Sequence, residues 1–103
     1  MIFRRRRFGD VIARQLDLFA GDQADDLFAE VRERKAAYDR ASRDEAEELY
    51  GDYVDAVDAA ADALAEMRDS YARTVDDPEE YERAFNRAAA RRLPEYGREL
   101  ESR

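Results

Sequence analysis

The chain contains no cysteine and no histidine. Without cysteine it can form no disulfide, no thiolate nucleophile and no thiolate metal site. Without histidine it lacks the side chain that titrates near neutral pH, and with it the commonest general base and the commonest metal ligand. The Glu-x-x-His pattern of carboxylate-bridged di-iron bundles is excluded for the same reason. Glycine and proline are scarce, at four and two residues, so no glycine-rich loop can cradle a phosphate. No run of Val, Ile and Thr is bounded by turn signals, which argues against a sheet. The longest apolar runs are a few residues, far short of the roughly 20 that a membrane-spanning helix needs. Ser42, Ser70 and Ser102 are the only serines, and none is placed beside a base. No catalytic residue, cofactor or metal ion is expected, and the chain does not read as an enzyme.

What remains is charge and alanine-rich apolar periodicity. Charged residues make up 43% of the 103-residue chain and hydrophobic ones 45%, enough to bury one core within a helix-favouring composition. The net charge of −8 repels nucleic acid and anionic membrane overall, so contact with either has to be local. The expected fold is all-α, a small bundle of three to four helices built on one long central helix. Residues 7–103 form its single domain and 1–6 a basic N-terminal arm.

The first helix is expected from about Arg7 to Ala20, with Phe8, Val11, Ile12, Leu16 and Phe19 on one stripe and Gly21 ending it. The second runs from about Gln23 to Arg40, N-capped by Asp22. Its stripe is Ala24, Leu27, Phe28, Val31, the stem of Lys35, and Tyr38. The third and longest spans Arg43 to Val75, opened by a capping box of Ser42 and Glu45. Its seam (Ala46, Tyr50, Tyr53, Val57, Ala60, Leu64, Met67, Tyr71, Thr74) alternates steps of four and three. Gly51 reads as a kink or a close helix crossing. The fourth starts at an Asp77 N-cap with Pro78 at N1 and Glu80 at N3, directs Tyr81 and Phe85 inward, and is kinked or broken at Pro94. A seam of that length also makes a homo-oligomer plausible.

Four segments carry functional possibilities. The sharpest is Gln15-Leu16-Asp17-Leu18-Phe19. It resembles the pentapeptide by which many bacterial replication and repair proteins dock on the DNA polymerase sliding clamp, a consensus commonly written Gln-Leu, then Ser or Asp, then Leu-Phe. The resemblance implies a partner, not a fold. Two leucines and a Phe suit an apolar groove, and Gln can satisfy groups at its edge. Leu16 and Phe19 also belong to the first helix's own apolar stripe. Docking as an extended peptide therefore requires the last turn of that helix to open.

The second is Arg4, Arg5, Arg6 and Arg7 between Phe3 and Phe8, able to contact phosphates of nucleic acid, anionic lipid or an acidic protein. The run begins like a signal peptide, but Asp10, Arg14 and Asp17 interrupt the apolar stretch such a leader needs, so the expected location is the cytoplasm. The third is an acidic ridge, Glu48, Asp52, Asp55, Asp62, Glu66 and Asp69, opposite the long helix's seam. It lacks the loop and glycine of an EF-hand. The fourth is Arg83, Arg87 and Arg91, one turn apart, able to meet an acidic ridge on a neighbouring copy. The leading expectation is a non-catalytic protein–protein interaction module with the sliding clamp as its specific candidate partner. The alternatives are a nucleic-acid or membrane-surface binder acting through the Arg cluster, and a structural subunit of a helical assembly.

Overall fold

In the computed structural model, residues 8–18 and 25–103 are described, and every regular element among them is a helix. In chain order these are α1 (Gly9–Leu18), α2 (Asp25–Asp39), α3 (Ala46–Ala72), α4 (Pro78–Arg92) and α5 (Pro94–Glu101). The long central helix is α3, and the others lie along it, giving a body 54 Å in its longest dimension. None of the described helices is long and apolar enough to cross a membrane.

The burial of α3 explains the arrangement. Its first turns expose most of their surface, whereas Val57, Ala60 and Leu64 are buried on the expected seam. A second stripe, Ala61, Ala65, Arg68 and Ala72, is buried beside the first. One seam suffices to hold a single partner helix; two adjacent stripes are needed where two helices pack together. The N-terminal half of α3 accordingly pairs with α2 in an antiparallel hairpin, and its C-terminal half carries α4 and α5. The small alanines of the second stripe let backbones approach closely. Across the bundle, Phe28 of α2 stacks on Tyr96 of α5 with ring centroids 5.1 Å apart, joining the hairpin to the C-terminal pair. Helix α1 rests on α4, where Phe8 meets Tyr81 edge-on at 5.3 Å. Ile12, Leu16, Leu64, Tyr81, Phe85 and Leu100 are the largest fully buried side chains of these contacts, with Val31 from α2.

The start of α4 follows its sequence signals. Asp77 Oδ1 accepts from the Glu80 amide at 3.1 Å, and Pro78 occupies the first turn. Pro94 breaks the helix instead of kinking it, which makes five described helices where three to four were expected. Leu93, forced out of helical conformation by the ring that follows it, adopts φ −135° and ψ 66°. Pro94 then opens α5. Gly97 permits the fold-back: a Cβ there would stand 3.0 Å from both Cα and Cβ of Ala90.

Other boundaries are corrected. Helix α3 starts at Ala46 and ends at Ala72, shorter at both ends than the periodicity suggests. The capping box is only half formed. Glu45 Oε1 accepts from the Ser42 amide at 3.4 Å and from its hydroxyl at 3.1 Å. The Ser42 hydroxyl is thereby spent on a carboxylate and does not cap the helix. Thr74 lies beyond α3 and donates its hydroxyl to Tyr71 O at 2.7 Å. Gly51 faces open space, with nothing within 4 Å of a built Cβ, so it marks no helix crossing. Lys35 is exposed and pairs with Asp39 at 3.2 Å. Tyr38 and Tyr50, expected in the core, are 38% and 50% exposed and lie against each other at 5.3 Å. The hairpin end reaches past the helices that would cover them. The expected arm 1–6, Arg7, Gly21 and the Asp22 cap lie outside the described residues.

Candidate partner-binding segment

Four of the five residues of the clamp-like pentapeptide are described, and the helix turns them in two directions. Gln15 and Leu16 face α4; Asp17 and Leu18 face outward. Leu16 is 2% exposed and part of the core. Gln15 Oε1 accepts a hydrogen bond from the Tyr81 hydroxyl. Leu18 is 54% exposed. Asp17 is exposed and forms an ion pair with Arg92, whose guanidinium also donates to the Ala13 carbonyl at 3.0 Å. Phe19 lies outside the described residues, as do Arg4, Arg5, Arg6 and Arg7.

Tyr81 is the anchor of this region. Its ring also contacts those of Tyr71 (5.1 Å) and Phe85 (6.0 Å), and burial pushes its phenol up to about 12. A neutral hydroxyl with one well-placed acceptor is the expected state of a tyrosine in such surroundings. The periodicity of α4 identified Tyr81 as core but carried no sign of its bond to Gln15, which is made across 66 positions of sequence.

Three of the six ridge residues, Asp52, Asp62 and Asp69, are answered from within the chain. Arg34 of α2 approaches Asp52 at 4.0 Å. Arg103 reaches Asp62 at 2.5 Å and Asp58 at 3.5 Å. Asp69 pairs with Arg68 at 2.8 Å. Among the described residues, no group of three or more acidic side chains is assembled to hold a metal ion. Sequence reasoning missed Arg103, at the far end of the chain, and Arg68. The latter is 4% exposed, and its Nη1 donates to Asn86 Oδ1 at 3.0 Å and to Leu100 O at 3.1 Å. It thus ties α3 to α4 and to the C-terminal turn of α5, where the helix dipole favours a cation.

Arg83, Arg87 and Arg91 are exposed on α4. The last two, with Arg92, border a cleft of about 240 Å³ between α1 and α4, floored by Ile12, Ala13, Ala84 and Ala88.

Comparison of the chain with family models, curated proteins and solved structures finds no match.

Proposed function

We propose that this protein is a non-catalytic helical interaction module and that Gln15–Phe19 docks on the bacterial DNA polymerase sliding clamp. The observation that supports this reading is Leu18. A leucine more than half exposed at the end of a ten-residue helix, directly before an aromatic residue in the sequence, supplies an apolar anchor that the fold itself does not use.

The folded helix presents only part of the segment, so docking carries an energetic cost. Releasing Leu16 from the core costs about 2–3 kcal/mol. Losing the Tyr81–Gln15 hydrogen bond adds about 1 kcal/mol, and the exposed Asp17–Arg92 pair contributes little. The sum of about 3–4 kcal/mol weakens binding roughly 100- to 1,000-fold relative to a free peptide of the same sequence. Opening is confined to one turn at a helix end, where local unfolding is least costly.

Calorimetric titration of purified sliding clamp tests the proposal, using the intact protein, the isolated segment as a peptide, and the Leu18→Ala protein. The peptide is expected to bind more tightly than the protein. Leu18→Ala is expected to abolish binding with an unchanged melting temperature. Failure of both peptide and protein to bind refutes clamp docking.

A second reading, a subunit of a helical assembly, draws on the exposed Tyr38–Tyr50 pair at the hairpin end. It predicts a defined oligomer lost in Tyr50→Ser; a monomer at all concentrations in analytical ultracentrifugation refutes it.

A further inference from the structure

The cleft between α1 and α4 joins an apolar floor to a rim of arginines. Ile12 is fully buried beneath it, and Ala13, Ala84 and Ala88 are partly exposed within it. Arg87, Arg91 and Arg92 stand along one side. Arg87 and Arg91 lie one helical turn apart, about 6 Å along the axis of α4. Like charges at that spacing repel each other, and an anion between them relieves the repulsion. Among the described residues neither forms an ion pair. Arg92 is held across the two helices by the Ala13 carbonyl and the Asp17 carboxylate. These bonds use two of its five N–H donors and fix its plane, so the rest are oriented before any ligand arrives.

We infer that this cleft is a binding site for a small amphiphilic anion, an aromatic or short-chain apolar group bearing a phosphate or carboxylate. The chemistry follows from the lining. Guanidinium forks match the oxygens of a phosphate or carboxylate, and the alanine and isoleucine floor offers no hydrogen-bond partner, only apolar contact. The volume of about 240 Å³ accommodates a single ring or a short chain and is too small for a long lipid tail. The net charge of −8 does not prevent this, because charges beyond about 8 Å are screened at physiological salt. Neither Asp10 nor Asp17 lines the cleft. The inference does not need clamp docking: it uses Gly9–Ala13 and α4, leaves Leu18 untouched, and shares with that segment only the Asp17 carboxylate that holds Arg92.

Phenyl phosphate is the probe, followed by backbone amide shifts in heteronuclear NMR of the labelled intact protein, with phenol and inorganic phosphate as the two halves of the ligand. Saturable shifts confined to Gly9, Ala13, Ala84, Ala88 and their neighbours are expected, with each half at least about tenfold weaker than the whole. Arg87→Gln with Arg91→Gln is expected to weaken binding about 100-fold. Both residues are exposed, so the helical fold remains. Arg83→Gln, one turn away and outside the cleft, is expected to leave binding nearly unchanged. Shifts that do not saturate, inorganic phosphate matching phenyl phosphate, or an equal loss in Arg83→Gln each overturn the inference in favour of diffuse surface charge.

Discussion

Arg68 is the charged residue on which the C-terminal half of the bundle depends, and its removal gives a sharp test of the packing. At 4% exposure its guanidinium is nearly cut off from water. It satisfies Asn86 Oδ1, Leu100 O and Asp69 Oδ1 at 3.0, 3.1 and 2.8 Å. Arg68→Ala removes the aliphatic stem from the core and strands two acceptors. Losing a partner that leaves a buried polar group unsatisfied costs about 1–3 kcal/mol, and the cavity left by the stem adds about 1–2 kcal/mol. The expected total is about 2–5 kcal/mol, a large part of the 5–15 kcal/mol typical of a domain's whole stability. Arg68→Met keeps the stem's volume and loses only the hydrogen bonds, so it is expected to cost about half as much. Asp69→Asn is expected to cost less than about 1 kcal/mol, because the Asp69 side chain is 43% exposed and the pair is screened. Urea denaturation followed by circular dichroism measures all three. With a slope of about 1–2 kcal/mol per molar, Arg68→Ala lowers the midpoint by about 1–5 M. A shift below about 0.5 M in Arg68→Ala, or an Arg68→Met variant as stable as the wild type, would refute the view that Arg68 links the three helices through its acceptors.

The two glycines whose surroundings are described predict opposite responses to one substitution. Gly51→Ala, in open space within α3, is expected to stabilise by about 0.5–1 kcal/mol through helix propensity alone. In Gly97→Ala the contact with the Ala90 backbone outweighs that gain, for a net loss of about 1–2 kcal/mol; thermal melts of the two variants check the signs. The protein is also expected to unfold in alkali. Burial pushes the phenols of Tyr81 and Tyr96 up to about 12, against about 10 in an unfolded chain. Between those values the unfolded state holds fewer protons than the native state, so stability falls as pH rises. It is complete below about pH 10 and is reduced by about 4–5 kcal/mol near pH 12. A urea midpoint that stays constant across that interval would show that the two rings are not buried as described.

The parts of the fold that sequence reasoning captured are those decided locally. Asp77, Pro78 and Glu80 start α4 wherever that helix goes, because an N-cap needs only its own first turn. The break at Pro94 is equally local, although its outcome as a break depended on Gly97 admitting the fold-back. The apolar stripe of α1 was legible because three- and four-residue spacing is intrinsic to the helix. Arg68 was not legible. It directly follows Met67 of the seam, at a position that faces solvent on a helix with one partner, and only α5 doubling back over α3 encloses it. Asp62 of the acidic ridge looked free for the same reason: Arg103 answers it, and Asp58 one turn before it, from more than forty positions away. For the candidate site, the residues were legible but not their directions, since a pentapeptide match contains no information on which side chains the fold has already taken.

Those directions bear on how docking must proceed. Leu16 and Leu18 are two residues apart, about 200° around a helix at 3.6 residues per turn, so no helical conformation can offer both to one groove. In an extended chain the same two side chains point to the same side. If the segment docks with both leucines, the last turn of α1 has to unwind, and whatever stabilises that turn must oppose binding. This makes Tyr81→Phe diagnostic. The change removes one hydroxyl from the core, takes the hydrogen bond from Gln15, and leaves the aromatic contacts with Phe8, Tyr71 and Phe85 in place. It is expected to destabilise the fold by about 1 kcal/mol and, because less must be broken on docking, to tighten clamp binding about fivefold. A substitution outside the docking segment and away from Leu18 that weakens the fold yet strengthens the complex has no explanation in rigid docking through Leu18 alone. Unchanged or weaker binding by Tyr81→Phe, in a clamp titration where the wild type binds, would show that α1 stays wound.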